Sequence, residues 1–142
     1  MKLILTLLFL GFSLFASELD DFAKKTGFER DYATALKKSK HLDLPVMLVL
    51  TKQDCPWCRR LEKNTLASDT IQSRLKNEVV AVIVDKDLEK KHFPSQKYQA
   101  HISPKVLFID PKRNKILLEI DGFLPKEDFA MMMDKVKERW KK

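Results

Sequence analysis

The sequence predicts an α/β fold with a central mixed four-stranded sheet flanked by helices. Three observations carry this reading. Val46–Thr51 and Val79–Val84 are apolar almost throughout, as strands buried on both faces are. A helical stretch separates them, and the right-handed crossover rule makes such a pair parallel. Val106–Ile109 and Ile116–Ile120 then flank a turn, Pro111 to Asn114, and form an antiparallel hairpin that an amphipathic helix follows.

The first residues stand apart from that domain. Met1-Lys2 is a short positive start, Leu3 to Phe15 is almost purely apolar, and Ala16-Ser17 leads into Glu18, Asp20 and Asp21. This layout predicts a secretory signal peptide over 1–17, a domain over 18–142, and a periplasmic destination. Ala16 suits the last signal position, although Leu14 is not small. The apolar run is shorter than the roughly 20 residues of a spanning helix, so a cleaved protein has no stable membrane span.

Within 18–142, Thr26-x-x-Glu29 has capping-box spacing, and Phe28, Tyr32, Ala35, Leu36 and Ser39 recur at helical intervals. A helix over roughly 28–41 follows, stopped before Pro45. After the first strand, Pro56 suits the first position of a second helix, because its missing N–H costs nothing there. Cys58, Leu61 and Thr65 share one face of this helix, with Arg59, Arg60, Glu62 and Lys63 pointing elsewhere. Ser68 is the expected cap of a further helix carrying Ile71 and Leu75. The polar stretch Asp85 to Ala100 predicts a loop over the site with a helical turn near 95–99. Pro125 opens the last helix, with Phe129, Met132, Met133, Val136 and Trp140 on one face.

The chain has 142 residues, the length of one domain, and its 44% apolar and 33% charged composition is that of a globular protein. Its formal charge of +7 comes from lysines spread along the chain without an aromatic-interleaved groove. We read it as a solvated surface and expect no nucleic-acid partner.

The two cysteines, Cys55 and Cys58, enclose Pro56-Trp57 between a strand and a helix start. Unpaired helix N–H groups and the helix dipole favour a thiolate there. A two-residue gap closes too small a loop to stabilise a fold, so the pair reads as redox-active and not as a staple. A zinc site needs two more ligands, which His41, His92 and His101 do not supply in the usual pattern. Cu(I) suits thiolates and Met131-Met132-Met133, but Met132 and Met133 fall on the apolar face of the last helix. We therefore expect no metal and no cofactor. His92 and His101 flank the polar loop as surface residues.

Cys55-Pro56-Trp57-Cys58 after an apolar strand, Ile102-Ser103-Pro104 before Val106, and the hairpin-plus-helix ending together resemble the thioredoxin fold over nearly all of 18–142. The pattern is similar to exported thioredoxin-like thiol:disulfide oxidoreductases of bacteria. The resemblance implies that Cys55 is the nucleophile and Cys58 the resolving thiol. It implies that Pro56 and Trp57 tune the potential, that Pro104 is cis and faces the cysteines, and that the Ser103 backbone pairs with substrate. It also implies cysteine-containing exported clients, a redox partner protein and a monomer. The expected activity is protein-disulfide reduction, with disulfide oxidation or isomerisation, or a copper- or apoprotein-binding thiol chaperone, as alternatives. Two departures stand out: thioredoxins carry a buried acid where this chain has Val49, and no initial strand precedes the first helix.

Overall fold

The computed structural model describes residues 18–142, and the predicted leader lies outside the described residues. The sheet has the order β2-β1-β3-β4, with β1 Val46–Thr51, β2 Val80–Asp85, β3 Lys105–Asp110 and β4 Lys115–Asp121. β1 runs parallel to β2, and β3 is antiparallel to both β1 and β4. The predicted mixed four-stranded sheet is thus the one observed.

Residues 18–26 form helix α1; then come α2 (Tyr32–Leu42), α3 (Pro56–Arg60) with a π-helical continuation (Leu61–Leu66), α4 (Asp69–Glu78) and α5 (Lys126–Lys141). Alternate residues of each strand face opposite ways. Met47, Val49, Ile83, Val106 and Phe108 therefore meet Leu61, Leu66, Phe129 and Met133 on one side. Val46, Leu48, Leu50, Val82 and Val84 meet Tyr32 and Ala35 of α2 on the other.

The predicted capping box at Thr26 and Glu29 is not formed. Thr26 ends α1 and donates its hydroxyl to the carbonyl of Phe22, Gly27 takes φ +74°, and α2 begins at Tyr32 behind Asp31, whose carboxylate accepts the N–H of Thr34. The reason lies in the sheet. Glu29 exchanges backbone hydrogen bonds with Ala81 and Ile83 of β2, a one-residue parallel bridge in place of a first strand. A residue extended for that bridge is not available to a helix.

Ser68 holds the N-cap position of α4, but its hydroxyl donates to the carbonyl of Thr65 and caps nothing. Pro125 is the N-cap of α5, one place earlier than the sequence suggests. Met133 is buried with Phe129 and Val136, while Met132 and Trp140 pack at the edge of that core. Phe93 and Tyr98 pin the polar loop to the α2 side of the sheet. Its helical turn is a 3-10 turn over Lys90–His92, earlier than expected, and 94–98 form only a turn in which the N–H groups of Lys97 and Tyr98 donate to the Pro94 carbonyl.

Candidate active site

The cysteine pair sits where β1 ends and α3 begins. Cys55 is the N-cap of α3, extended at φ −129°, and Pro56 fills the first helical position as predicted. The sulfur of Cys55 accepts the N–H of Cys58 across 3.2 Å, so sulfur takes the place a capping oxygen usually holds. The two sulfurs are joined as a disulfide. Cys55 is half-buried and Cys58 is 0% exposed. The pair is thus asymmetric, partly open at Cys55 and closed at Cys58.

The Ser103–Pro104 bond is cis, as the resemblance implies. Leu50 of β1 pairs with Lys105 of β3, so Pro104 stands at the level of Thr51, at the sheet end from which the cysteine loop emerges. The Pro104 carbonyl accepts the N–H of Gly122 at 2.8 Å, leaving Ser103 and Ile102 on the rim. Gly122 has φ +83°, a conformation that other residues reach at a cost.

That turn brings up a residue missed in the sequence. Phe123 lies 6.0 Å from Trp57, ring centre to ring centre. Arg60 lays its guanidinium over both rings, 5.3 Å from Trp57 and 4.6 Å from Phe123. Thr65 fixes the Phe123 segment by donating to the Leu124 carbonyl at 2.6 Å. Trp57 at 54% and Ile102 at 55% exposure give the site an apolar border.

Glu62 overturns a second expectation. The helical face assignment points it outward with Arg59 and Lys63, yet it is only 7% exposed. The chain changes from α- to π-helical at Leu61, and that wider turn rotates the following side chains; π-segments of this kind often occur at functional sites. Glu62 and Leu66 are buried beside Cys58, Leu61 and Thr65. Glu62 Oε1 accepts from Thr51 Oγ1 at 2.8 Å and from Arg59 Nη2 at 2.9 Å, and Arg59 Nε lies 2.9 Å from Oε2. The signal available in the sequence was a four-residue spacing from Cys58, which places two side chains on one helix face.

Other predicted positions fall outside the site. His92 is exposed and pairs with Asp31 at 3.6 Å, and His101 is exposed. No three His, Cys, Asp or Glu side chains converge as a metal site among the described residues. Nor is any described helix long and apolar enough to cross a membrane.

A disulfide of two-residue spacing, capping a helix at the edge of a mixed sheet and partly open at its first cysteine, defines a thiol:disulfide oxidoreductase. The thioredoxin-like domain family matches residues 32–137, and the chain belongs to it. Among solved structures, a thioredoxin from Thermus thermophilus is 20% identical over 78% of this chain and 86% of its own, with a TM-score of 0.69. A DsbH oxidoreductase is 25% identical over 80% and 83%, with a TM-score of 0.60. The oxidised C-terminal domain of Neisseria meningitidis DsbD is 16% identical over 76% and 97%, at 0.61. No curated protein matches the sequence.

Proposed function

We propose that this protein is an exported, monomeric reductase of protein disulfides, a domain of residues 18–142 released into the periplasm by cleavage after residue 17. Cys55 attacks the disulfide of an exported client, Cys58 resolves the mixed disulfide, and a partner protein returns the pair to the dithiol. Pro56 and Trp57 set the potential through the first helical turn, while Ser103 and Pro104 receive the client backbone. The observation that carries the reading is the asymmetry of the pair: Cys55 at the helix cap and partly open, Cys58 wholly buried.

The reducing direction rests on Arg59. Its guanidinium lies against the Glu62 carboxylate, so one of the two cations that follow the pair is neutralised. A less stabilised thiolate makes a stronger electron donor. The leader pattern of 1–17 supports export.

The decisive experiment is the equilibrium potential of the Cys55–Cys58 pair against glutathione, with insulin reduction measured beside it. A potential near −270 mV, about that of thioredoxin, is expected. One near −120 mV, about that of a disulfide donor, overturns the direction.

A further inference from the structure

The cations around the disulfide are not equivalent. Arg59 lies against the Glu62 carboxylate, and Lys105 pairs with Glu119 and Asp121 beneath the Gly122 turn. Lys52 and Lys63 are exposed, each a strongly hydrated charge on a flexible stem. Arg60 is exposed as well, but its head is held in place. The guanidinium sits 4.6 Å from the centre of the Phe123 ring and 5.3 Å from that of Trp57, within the range of a cation–π contact. Among the described residues no carboxylate pairs with Arg60, and no acceptor takes its N–H groups. A fixed cation with all its donors open to solvent thus stands on the border of the site.

That combination fits a client carboxylate better than a client aromatic ring. The stack already covers one face of both Trp57 and Phe123, whereas the N–H groups lie in the guanidinium plane and stay free at its edge. A guanidinium presents five donors in a planar fork, which carboxylate oxygens match two at a time. An exposed arginine usually loses side-chain entropy on pairing, and the two rings have removed much of that freedom beforehand. The acidic groups of the chain do not compete: Asp121 is taken by Lys105, and Asp54 precedes the cysteine pair while Arg60 follows it. The reach is also right. Arg60 lies five residues after Cys55, about 7.5 Å along a helix axis. In an extended client, the residue two places from the cysteine points to the same side, about 6–7 Å away.

We infer that Arg60 is a specificity-determining residue, which receives an acidic side chain two residues from the reacting cysteine of the client. The role rests on the disulfide exchange proposed for Cys55 and Cys58. Trp57 and Phe123 hold the cation, the cation takes the carboxylate, and the client sulfur is thereby brought to Cys55. Clients with acidic residues beside their disulfides are preferred over neutral or basic ones.

The test uses symmetric disulfides of one short peptide in three forms, with Glu, Gln or Lys two places before and after its cysteine. The reduced protein is mixed with each, quenched in acid, and the released peptide thiol measured by chromatography. At low ionic strength the Glu form should react about fivefold faster than the Gln form, the upper range for an exposed ion pair, and the Lys form more slowly than either. Salt at about 0.5 M should reduce the Glu advantage to less than about twofold. Arg60→Gln should abolish that advantage while the Gln form keeps its rate. Arg60→Lys, which has the charge without the planar fork, should retain only part of it, and Lys63→Gln should retain it all. Equal rates for the Glu and Gln forms with the native protein overturn the role. So does a Glu advantage that survives Arg60→Gln, or one that falls as far in Lys63→Gln, because either assigns the preference to the overall positive charge. Equal slowing of all three forms by Arg60→Gln marks a merely structural role and overturns it too. If Arg60→Gln folds poorly, Arg60→Lys and the salt dependence of the native ratio decide in its place. A native protein that reacts with none of the peptides refutes disulfide exchange itself, whereas reaction without preference leaves exchange standing and removes only the role of Arg60.

Discussion

The backbone N–H of Cys58 donates to the sulfur of Cys55 across 3.2 Å, so the two cysteines are joined by a capping bond as well as by the disulfide. If the cap geometry persists on reduction, the N–H of Cys58 donates to a thiolate, which accepts it better than a thiol does. Reduced Cys55 should therefore react with iodoacetamide with a midpoint well below the ordinary thiol value of about 8.5. An alkylation profile centred near 8.5 contradicts the cap argument.

The difference in exposure separates the roles of the two sulfurs. Cys58→Ser should accumulate mixed disulfides between Cys55 and client proteins, because the buried position no longer resolves them. Cys55→Ser should accumulate few, since Cys58 has no open face. Non-reducing gels of cells expressing each variant decide the matter, and equal trapping by both removes the assignment.

Trp57, Phe123 and Arg60 form an exposed ring-and-guanidinium ledge beside the disulfide. Trp57→Ala removes a side chain that is mostly in solvent, so stability should change by no more than about 0.5 kcal/mol. Exchange with an unfolded protein disulfide should slow roughly fivefold to tenfold, the worth of an aromatic contact of about 1 kcal/mol. Exchange with a small disulfide should keep its rate. Equal slowing of both substrates places Trp57 in the chemistry and not in client binding.

Asp110 gives a pH prediction away from the site. Burial opposes its charge, but the N–H groups of Arg113 and Lys112 and the Arg113 guanidinium outweigh burial and hold the carboxyl below its ordinary 3.8. The folded state thus binds this proton more weakly than the unfolded chain does. The stabilisation is complete above the ordinary value and is lost as pH falls through the depressed one. Asp110→Asn should cost about 1–3 kcal/mol in urea unfolding at pH 7, and the gap from the native protein should narrow below about pH 4. A gap that is constant with pH rules out the ionic contribution.

Much of the fold was legible because it is written in short-range patterns. The apolar runs of β1 and β2, the turn after Asp110 and the proline before Trp57 each constrain their own backbone. The misreadings fall where a residue has two local options and a distant partner chooses between them. Thr26 and Glu29 have the spacing of a capping box, but β2 takes the Glu29 backbone. Phe123 follows Gly122 in an unremarkable loop, and only the Thr65–Leu124 and Gly122–Pro104 hydrogen bonds bring it to Trp57.

The sequence by itself determined the α/β class, the parallel pair β1–β2, the antiparallel hairpin β3–β4, and the pair Cys55–Cys58 at a helix start. Those follow from residue periodicity and from covalent spacing, which no remote contact can alter. Only the tertiary structure decided which cysteine is partly open, what borders it and that Glu62 is buried. Glu62 is the clearest case. A charged residue on a helix faces solvent unless partners satisfy it; Arg59, three residues before it, is a local partner, but Thr51 meets it only once β1 and the α3 segment are side by side.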